Sequence, residues 1–257
     1  MSTNLKREPS RGHALITGAI GGLGTAMTKQ LISEGIPVIG CDRKADELNA
    51  WRARELNEEQ SKMVTLFPLD ITKEELVQEL ATELEQRGIH IAYLINNAGI
   101  QGPGKAWEMD TKTWDRVVKV NMYGTFFLCR AFSKPMIEAG FGRILNFASL
   151  AAYSPPKDWG SYAAAKAGVL GYTRSLALDL APNGVTVNVI VPGLIMHDGL
   201  RETITDRFVE KMEEAVPMKR SGKPEEIAAA ASFFMSEGSS FVTGQTMHVN
   251  GGMFLPG

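Results

Sequence analysis

Seven short apolar runs, separated by longer helical patterns, restrict this chain more than any single motif does. The runs fall at residues 14–17, 37–41, 64–67, 91–95, 143–147, 185–191 and 245–249. Near-continuous apolar sequence over so few residues marks strands covered on both faces, the condition of a parallel sheet. Helical patterns lie between them at 25–33, 45–58, 73–86, 111–138, 162–181 and 225–235. Strand and helix in alternation, joined by right-handed crossovers, predict an α/β fold: a doubly wound parallel sheet with helices on both faces. The 257 residues show no internal repeat, low-complexity tract or linker. A single domain over 13–257 is expected, behind a short polar and disordered lead at 1–12.

In such a sheet, ligands bind where the strands end. The first run closes on Thr17-Gly18-Ala19-Ile20-Gly21-Gly22-Leu23-Gly24, directly before a helical pattern. Glycines let the backbone turn tightly and approach a diphosphate, whose charge the following helix N-terminus stabilises. A simple tight turn is the plainer alternative, and the strand before and helix after favour the dinucleotide. Asp42 ends the second run, where a carboxylate hydrogen-bonds ribose hydroxyls. It predicts NAD(H) over NADP(H), because the 2′-phosphate would meet a like charge there. Arg43, the next residue, is the counterweight, since a guanidinium clamps phosphate; the glycine loop itself carries no basic residue. Asp70, just before Ile71, closes the third run, placed for the adenine side or as the N-cap of the next helix. Asn96-Asn97-Ala98-Gly99 closes the fourth run at the same edge.

A second signal lies in Ser161-Tyr162-Ala163-Ala164-Ala165-Lys166, which opens an alanine-rich stretch with no proline before Pro182. One long helix is expected, with Tyr162 and Lys166 a turn apart on one face. A phenol titrating near pH ~10 is a poor base at neutrality, and a neighbouring ammonium lowers its pKa. The pair is a candidate proton donor and acceptor; the plainer reading is an ordinary amphipathic surface.

Lys and Arg total 27 against 29 Asp and Glu, a net charge of −2, so nothing supports a nucleic-acid or anionic-membrane partner. No apolar run reaches the ~18 residues of a membrane helix, and the amino terminus lacks a secretory core. A soluble cytoplasmic protein is expected, with Cys41 and Cys129 as buried free thiols and no metal-ligand spacing.

Taken in order, the T-G-x-x-x-G-x-G at 17–24, the N-N-A-G ending at Gly99, Asn121, Ser149, the Y-x-x-x-K of Tyr162 and Lys166, and Pro192-Gly193 resemble the short-chain dehydrogenase/reductase family in its compact single-domain branch. The resemblance extends from about His13 to Met253. It implies a Rossmann-like fold and an NAD(H)-dependent oxidoreductase that interconverts a secondary alcohol and a ketone. It implies Tyr162 as the general acid/base and Ser149 as a hydrogen-bond partner of the reacting oxygen. Lys166 would lower the tyrosine pKa and contact the nicotinamide ribose, and Asn121 would hold a proton-relaying water. Cofactor contacts are implied from Gly18, Gly22, Leu23 and Gly24 in the loop, and from Asp42, Arg43, Asp70, Ile71 and Asn97 at the next strand ends. Tyr162, Lys166, Pro192, Gly193 and Ile195 complete that set.

The chain departs from many relatives four positions past Gly193, where His197 replaces a cofactor-bonding threonine; an exposed or substrate-edge histidine is expected. Leu200, Ile204, Phe208 and Met212 stand at helical spacing, the pattern of a substrate lid over 194–216. The pocket is expected between this lid, the stretch from Gln101 to Pro103, and the loop from Tyr153 to Trp159, a mixture that suits a small polar substrate such as a polyol or hydroxy acid. A 3-oxoacyl-[acyl-carrier-protein] reductase is the second enzyme reading. Its weakness is that the helix ends near Glu138 and Asn183 carry no basic cluster. A non-catalytic dinucleotide-binding scaffold is the alternative of another class, disfavoured by the presence of Ser149, Tyr162 and Lys166. The long helices and the apolar tail at Phe254-Leu255 imply, through the resemblance, a homotetramer.

Overall fold

The structure, a computed structural model, describes residues 11–201 and 205–256. Most of the expected disordered lead lies outside the described residues, as does Ile204 of the lid pattern. The chain runs β1 (His13–Thr17), α1 (Gly22–Ser33), β2 (Val38–Asp42), α2 (Ala45–Glu55), α3 (Glu58–Lys62), β3 (Val64–Pro68), α4 (Glu74–Gln86) and β4 (Ile91–Asn96). It continues through α5 (Thr111–Val118), a π-helical turn (Lys119–Tyr123), α6 (Gly124–Ala139), β5 (Gly142–Phe147) and α7 (Gly160–Leu180). The last elements are β6 (Val185–Pro192), α8 (Asp198–Arg201), α9 (Asp206–Ala215), α10 (Pro224–Met235) and β7 (Thr246–Val249).

All neighbouring strands pair parallel, in the order β3-β2-β1-β4-β5-β6-β7. The direction of winding reverses between β1 and β4, which opens a crevice at the carboxyl ends of these two strands. Alternation along β1 shows why the sheet needs two helical layers. Ala14 and Ile16 pack with Met27 and Leu31 of α1 and Phe234 of α10, whereas Leu15 packs with Leu80 of α4 and Leu128 of α6. Each such fully buried Leu, Ile or Phe contributes roughly 1.5–3 kcal/mol, and neither face is left to solvent.

Three helices differ from the sequence expectation, each for a local reason. The pattern at 45–58 breaks at Leu56, which is extended, and restarts at Asn57. There Asn57 Oδ1 accepts from Gln60 N at 2.9 Å and Gln60 Oε1 from Asn57 N at 3.0 Å, a capping box that begins α3. The long helix at 111–138 is interrupted by the π turn around Asn121 before it resumes as α6 and ends on Gly140, left-handed at φ 64. The segment expected as a lid holds two short helices, α8 and α9, rather than one. Cys41 and Cys129 are buried free thiols. Burial pushes both above the usual thiol range, Cys129 to about 12, which makes them inert. Among the described residues, no helix is long and apolar enough to cross a membrane.

Candidate active site

β1 delivers Thr17 to the crevice, and Gly18 turns the chain with φ +65. A Cβ on Gly24 would lie 2.1 Å from Gly18 O, so α1 can approach the turn only because this position is glycine. No side chain caps α1 and no acidic residue occupies its first turn, which leaves its positive dipole end for an anion. Asn97 fixes the turn from the neighbouring strand. Its Nδ2 donates to Thr17 O at 2.9 Å and to Gly18 O at 3.2 Å, while Ala98 N donates to Thr17 Oγ1 at 3.1 Å.

Gly18, Asn97 and Ala98 line a cavity of about 440 Å³, whereas Thr17 and Gly24 lie behind its wall. Gly18, Gly22 and Leu23 border it on one side, Asp42 and Arg43 at the end of β2, Asp70 and Ile71 after β3, and Asn97 after β4. The Asp42 carboxylate accepts from Lys44 N at 3.2 Å, and its burial raises the carboxyl pKa against that contact. Asp70 is not a helix cap. Its Oδ1 accepts from Thr72 N at 3.0 Å and Thr72 Oγ1 at 2.7 Å, and Lys73 occupies the N-cap of α4. The glycine turn, the uncapped helix and the carboxylate at β2 fit a dinucleotide: they offer close backbone approach, a diphosphate site and a ribose partner in that order.

Gly99 connects this cavity to a second cluster. A Cβ there would lie 2.7 Å from Asn121 Oδ1 and 3.3 Å from Lys166 Nζ. Asn121 is fully buried within the π turn. Its Nδ2 donates to Val117 O at 2.9 Å, taking a carbonyl one turn back that the helix backbone would otherwise use. The same Nδ2 donates to Ile100 O at 2.8 Å, and Ile100 N donates to Oδ1 at 3.3 Å. The side chain thus clamps the loop after β4 to the helix.

Ser149 follows β5 and caps the 3-10 turn Leu150–Ala152, its Oγ accepting from Ala151 N at 3.2 Å. The same hydroxyl hydrogen-bonds Tyr162 and favours the phenolate, but burial outweighs it and raises the tyrosine pKa. Lys166, 4 % exposed, donates from Nζ to Phe147 O at 2.8 Å and lies 5.7 Å from the centroid of the Tyr162 ring. Burial alone lowers its pKa, to about 8. The helix therefore brings tyrosine and lysine together as the spacing predicts, and Ser149 meets the phenol from the end of β5.

Other expected contacts fall elsewhere. Pro192, Gly193 and Ile195 do not line the cavity at the glycine turn. Gly193 packs against Asn250, where a Cβ would come within 2.7 Å. Ile195 bridges to Gly222 and borders a separate cavity of about 630 Å³ beside the carboxyl-terminal tail. Tyr153 packs against His248 and Phe254, with ring centroids 5.0 and 4.8 Å away. His197 is half-buried rather than exposed. Its Nδ1 accepts from Leu200 N at 3.3 Å at the start of α8, and its Cγ lies 2.6 Å from where a Gly22 Cβ would be. Thr72, Arg116 and Val120 line the cavity without having been expected. The spacing of Arg116 and Val120, one turn apart just before Asn121, is the signal that could have found the last two.

Comparison with known proteins agrees with this architecture. A family model described as enoyl-(acyl carrier protein) reductase matches residues 18–254. The 3-oxoacyl-[acyl-carrier-protein] reductase FabG of Buchnera aphidicola subsp. Acyrthosiphon pisum is 36% identical over 246 residues, covering 96% of this chain and 98% of that protein. Nodulation protein G of Azospirillum brasilense is 36% identical over 243 residues, 93% of this chain and 97% of the relative. Among solved structures, one from Agrobacterium tumefaciens, provisionally assigned as a gluconate dehydrogenase, superposes with a TM-score of 0.89 at 31% identity, covering 96% of this chain and 97% of the other. With a matching family model over most of its length and relatives above 30% identity end to end, this chain belongs to the short-chain dehydrogenase/reductase family of oxidoreductases, which bind a nicotinamide dinucleotide.

Proposed function

We propose that this protein reduces the keto group of a 3-oxoacyl thioester, with Tyr162 as proton donor to the reacting oxygen. The observation that carries the chemistry is the buried constellation of Ser149 bonded to Tyr162 above Lys166. As a ketone becomes an alkoxide, charge develops on its oxygen. The Ser149 hydroxyl is placed to stabilise that charge, and a phenol held protonated by burial is suited to donate at neutral pH. Lys166 keeps a positive charge beneath the ring, and Asn121 holds the loop that closes over it. A bound nicotinamide dinucleotide supplies the hydride. Gly18, Gly22 and the α1 N-terminus would hold its diphosphate, and Asp42 its adenosine ribose.

The thioester reading draws on the reductase names carried by full-length relatives at 34–36% identity. A hydroxy acid is the second reading, favoured by the gluconate assignment of the solved neighbour and by the helix ends near Glu138 and Asn183, which lack basic residues to meet an acidic carrier. The two separate in one assay: reduction of acetoacetyl-coenzyme A followed by nicotinamide absorbance, against oxidation of gluconate and related acids. Turnover of the thioester at least about a hundredfold better supports the first, and the reverse order overturns it.

For the cofactor, NAD(H) is the proposal, because the adenosine 2′-phosphate would arrive beside the Asp42 carboxylate. Arg43 and Arg116 also border the cavity, so the preference rests on Asp42 outweighing them. A homotetramer is proposed as well. Tyr123, Phe126 and Leu178 are exposed on the π turn, α6 and α7, an apolar surface of the kind that self-association covers. A monomer mass by light scattering at micromolar concentration would refute it.

A further inference from the structure

The loop that leads into α7 makes a left-handed bend. Asp158 has φ +67, a region that aspartate tolerates better than most residues other than glycine. Two contacts hold it here. Gly104 N donates to Asp158 O at 2.7 Å, and Ser161 Oγ donates to Gly102 O at 3.1 Å. The bend is thereby fastened to the segment after Gly99 from both sides. Trp159 follows and starts the helix, its carbonyl accepting from Ala163 N at 2.9 Å. The indole stands edge-on to Tyr162, with ring centroids 5.5 Å apart and planes at 85°. It is only half-buried, so part of the ring remains open to a ligand.

We propose that Trp159 is a substrate-positioning residue, whose indole forms the wall of the substrate site beside the Tyr162 hydroxyl and selects a flat or C–H-rich group next to the reacting carbon. Aromatic rings attract flat π systems and apolar C–H faces, and exclude water from the phenol they flank. The methylene and alkyl groups that flank the keto carbon of a 3-oxoacyl thioester offer such C–H faces. The left-handed turn at Asp158 aims the indole: with an ordinary φ there, the chain would enter α7 with Trp159 in another direction. The proposal rests on Tyr162 being the proton donor.

The test is steady-state kinetics with acetoacetyl-coenzyme A varied against saturating NADH, with NADH affinity measured separately by calorimetry. Trp159→Ala should raise the substrate KM about tenfold, the scale of one aromatic contact, and leave NADH affinity within about twofold. Trp159→Phe, which keeps a ring at the site, should regain most of the loss. An unchanged substrate KM in Trp159→Ala overturns the proposal. So does an equal loss of NADH affinity, which would mark a general structural role. Tyr162→Phe run alongside separates the two levels: if it still turns over, the proton-donor reading fails irrespective of Trp159.

Discussion

The glycine turn and the start of α7 face one crevice, yet the first is fixed by backbone and the second by buried side chains. At the turn, Gly18 and Gly24 supply conformations and clearances that side chains would block, and Asn97 spends its amide on main-chain carbonyls. At α7, Lys166, Asn121 and Ser149 are held by hydrogen bonds from their own side chains, and burial sets the ionisation of Tyr162 and Lys166. A region built from backbone tolerates almost no added volume. One built from buried polar groups is sensitive to charge and pH as well.

Substitutions can break this contrast in order of severity. The largest effect is expected from Gly24→Val, whose side chain would collide with the Gly18 and Ala19 backbone. Overpacking of this kind costs about 1–3 kcal/mol or more. Thermal unfolding should show that loss, and dinucleotide binding by calorimetry should disappear with it. Retained binding would mean that the turn is softer than its packing implies.

On the other side of the crevice, pH is the sharper probe. Burial lowers the Lys166 pKa to about 8, so the ammonium is lost as pH rises through that value. kcat/KM for ketone reduction should fall above pH about 8, and Lys166→Met should abolish this limb while lowering the plateau at least about tenfold. The linkage to stability has the opposite sense. A lysine whose folded pKa lies below its unfolded one destabilises the fold at low pH, and the penalty fades as pH rises from about 8 towards the ordinary 10.5. Lys166→Met should therefore raise Tm more at pH 7 than at pH 10, and an equal gain at both would argue against burial as the cause.

Asp42→Ala addresses cofactor choice at the border of the glycine turn. Two unit charges ~4 Å apart at an effective dielectric of ~20 repel by about 4 kcal/mol before screening. A quarter to half of that gives roughly a tenfold to thirtyfold preference for NAD(H). The mutant should lose most of it in kcat/KM ratios, and an unchanged ratio would assign selectivity to Arg43 or Arg116. His197→Ala is expected to have the smallest effect, a few-fold weakening of dinucleotide affinity, because the imidazole packs over Gly22 while capping α8. No change in affinity would place the residue outside the cofactor site.

What the sequence made legible follows the same division. Strand runs, the glycine turn and the tyrosine–lysine spacing are local patterns, and all appear where periodicity puts them. The break at Asn57 was also written locally, in an Asn-x-x-Gln capping box inside a longer helical pattern. The π turn at Asn121 was not, since it depends on the asparagine reaching Ile100 across the crevice. Nor was the balance at Tyr162: spacing places an ammonium nearby, but only the fold shows the burial that raises the phenol pKa and the Ser149 hydroxyl that works against it. Ile195 and Tyr153 take partners more than twenty residues distant, Gly222 and the carboxyl-terminal tail, which no local pattern shows.

In the proposed function Tyr162 donates the proton while the glycine turn independently holds the dinucleotide. Tyr162→Phe separates the two, with NADH affinity and turnover of acetoacetyl-coenzyme A measured on the same preparation. NADH affinity should stay within about threefold of the parent and turnover should fall by at least about a hundredfold, the low end for removing a general acid. Turnover close to the parent value, with affinity intact, would contradict the proton-donor role.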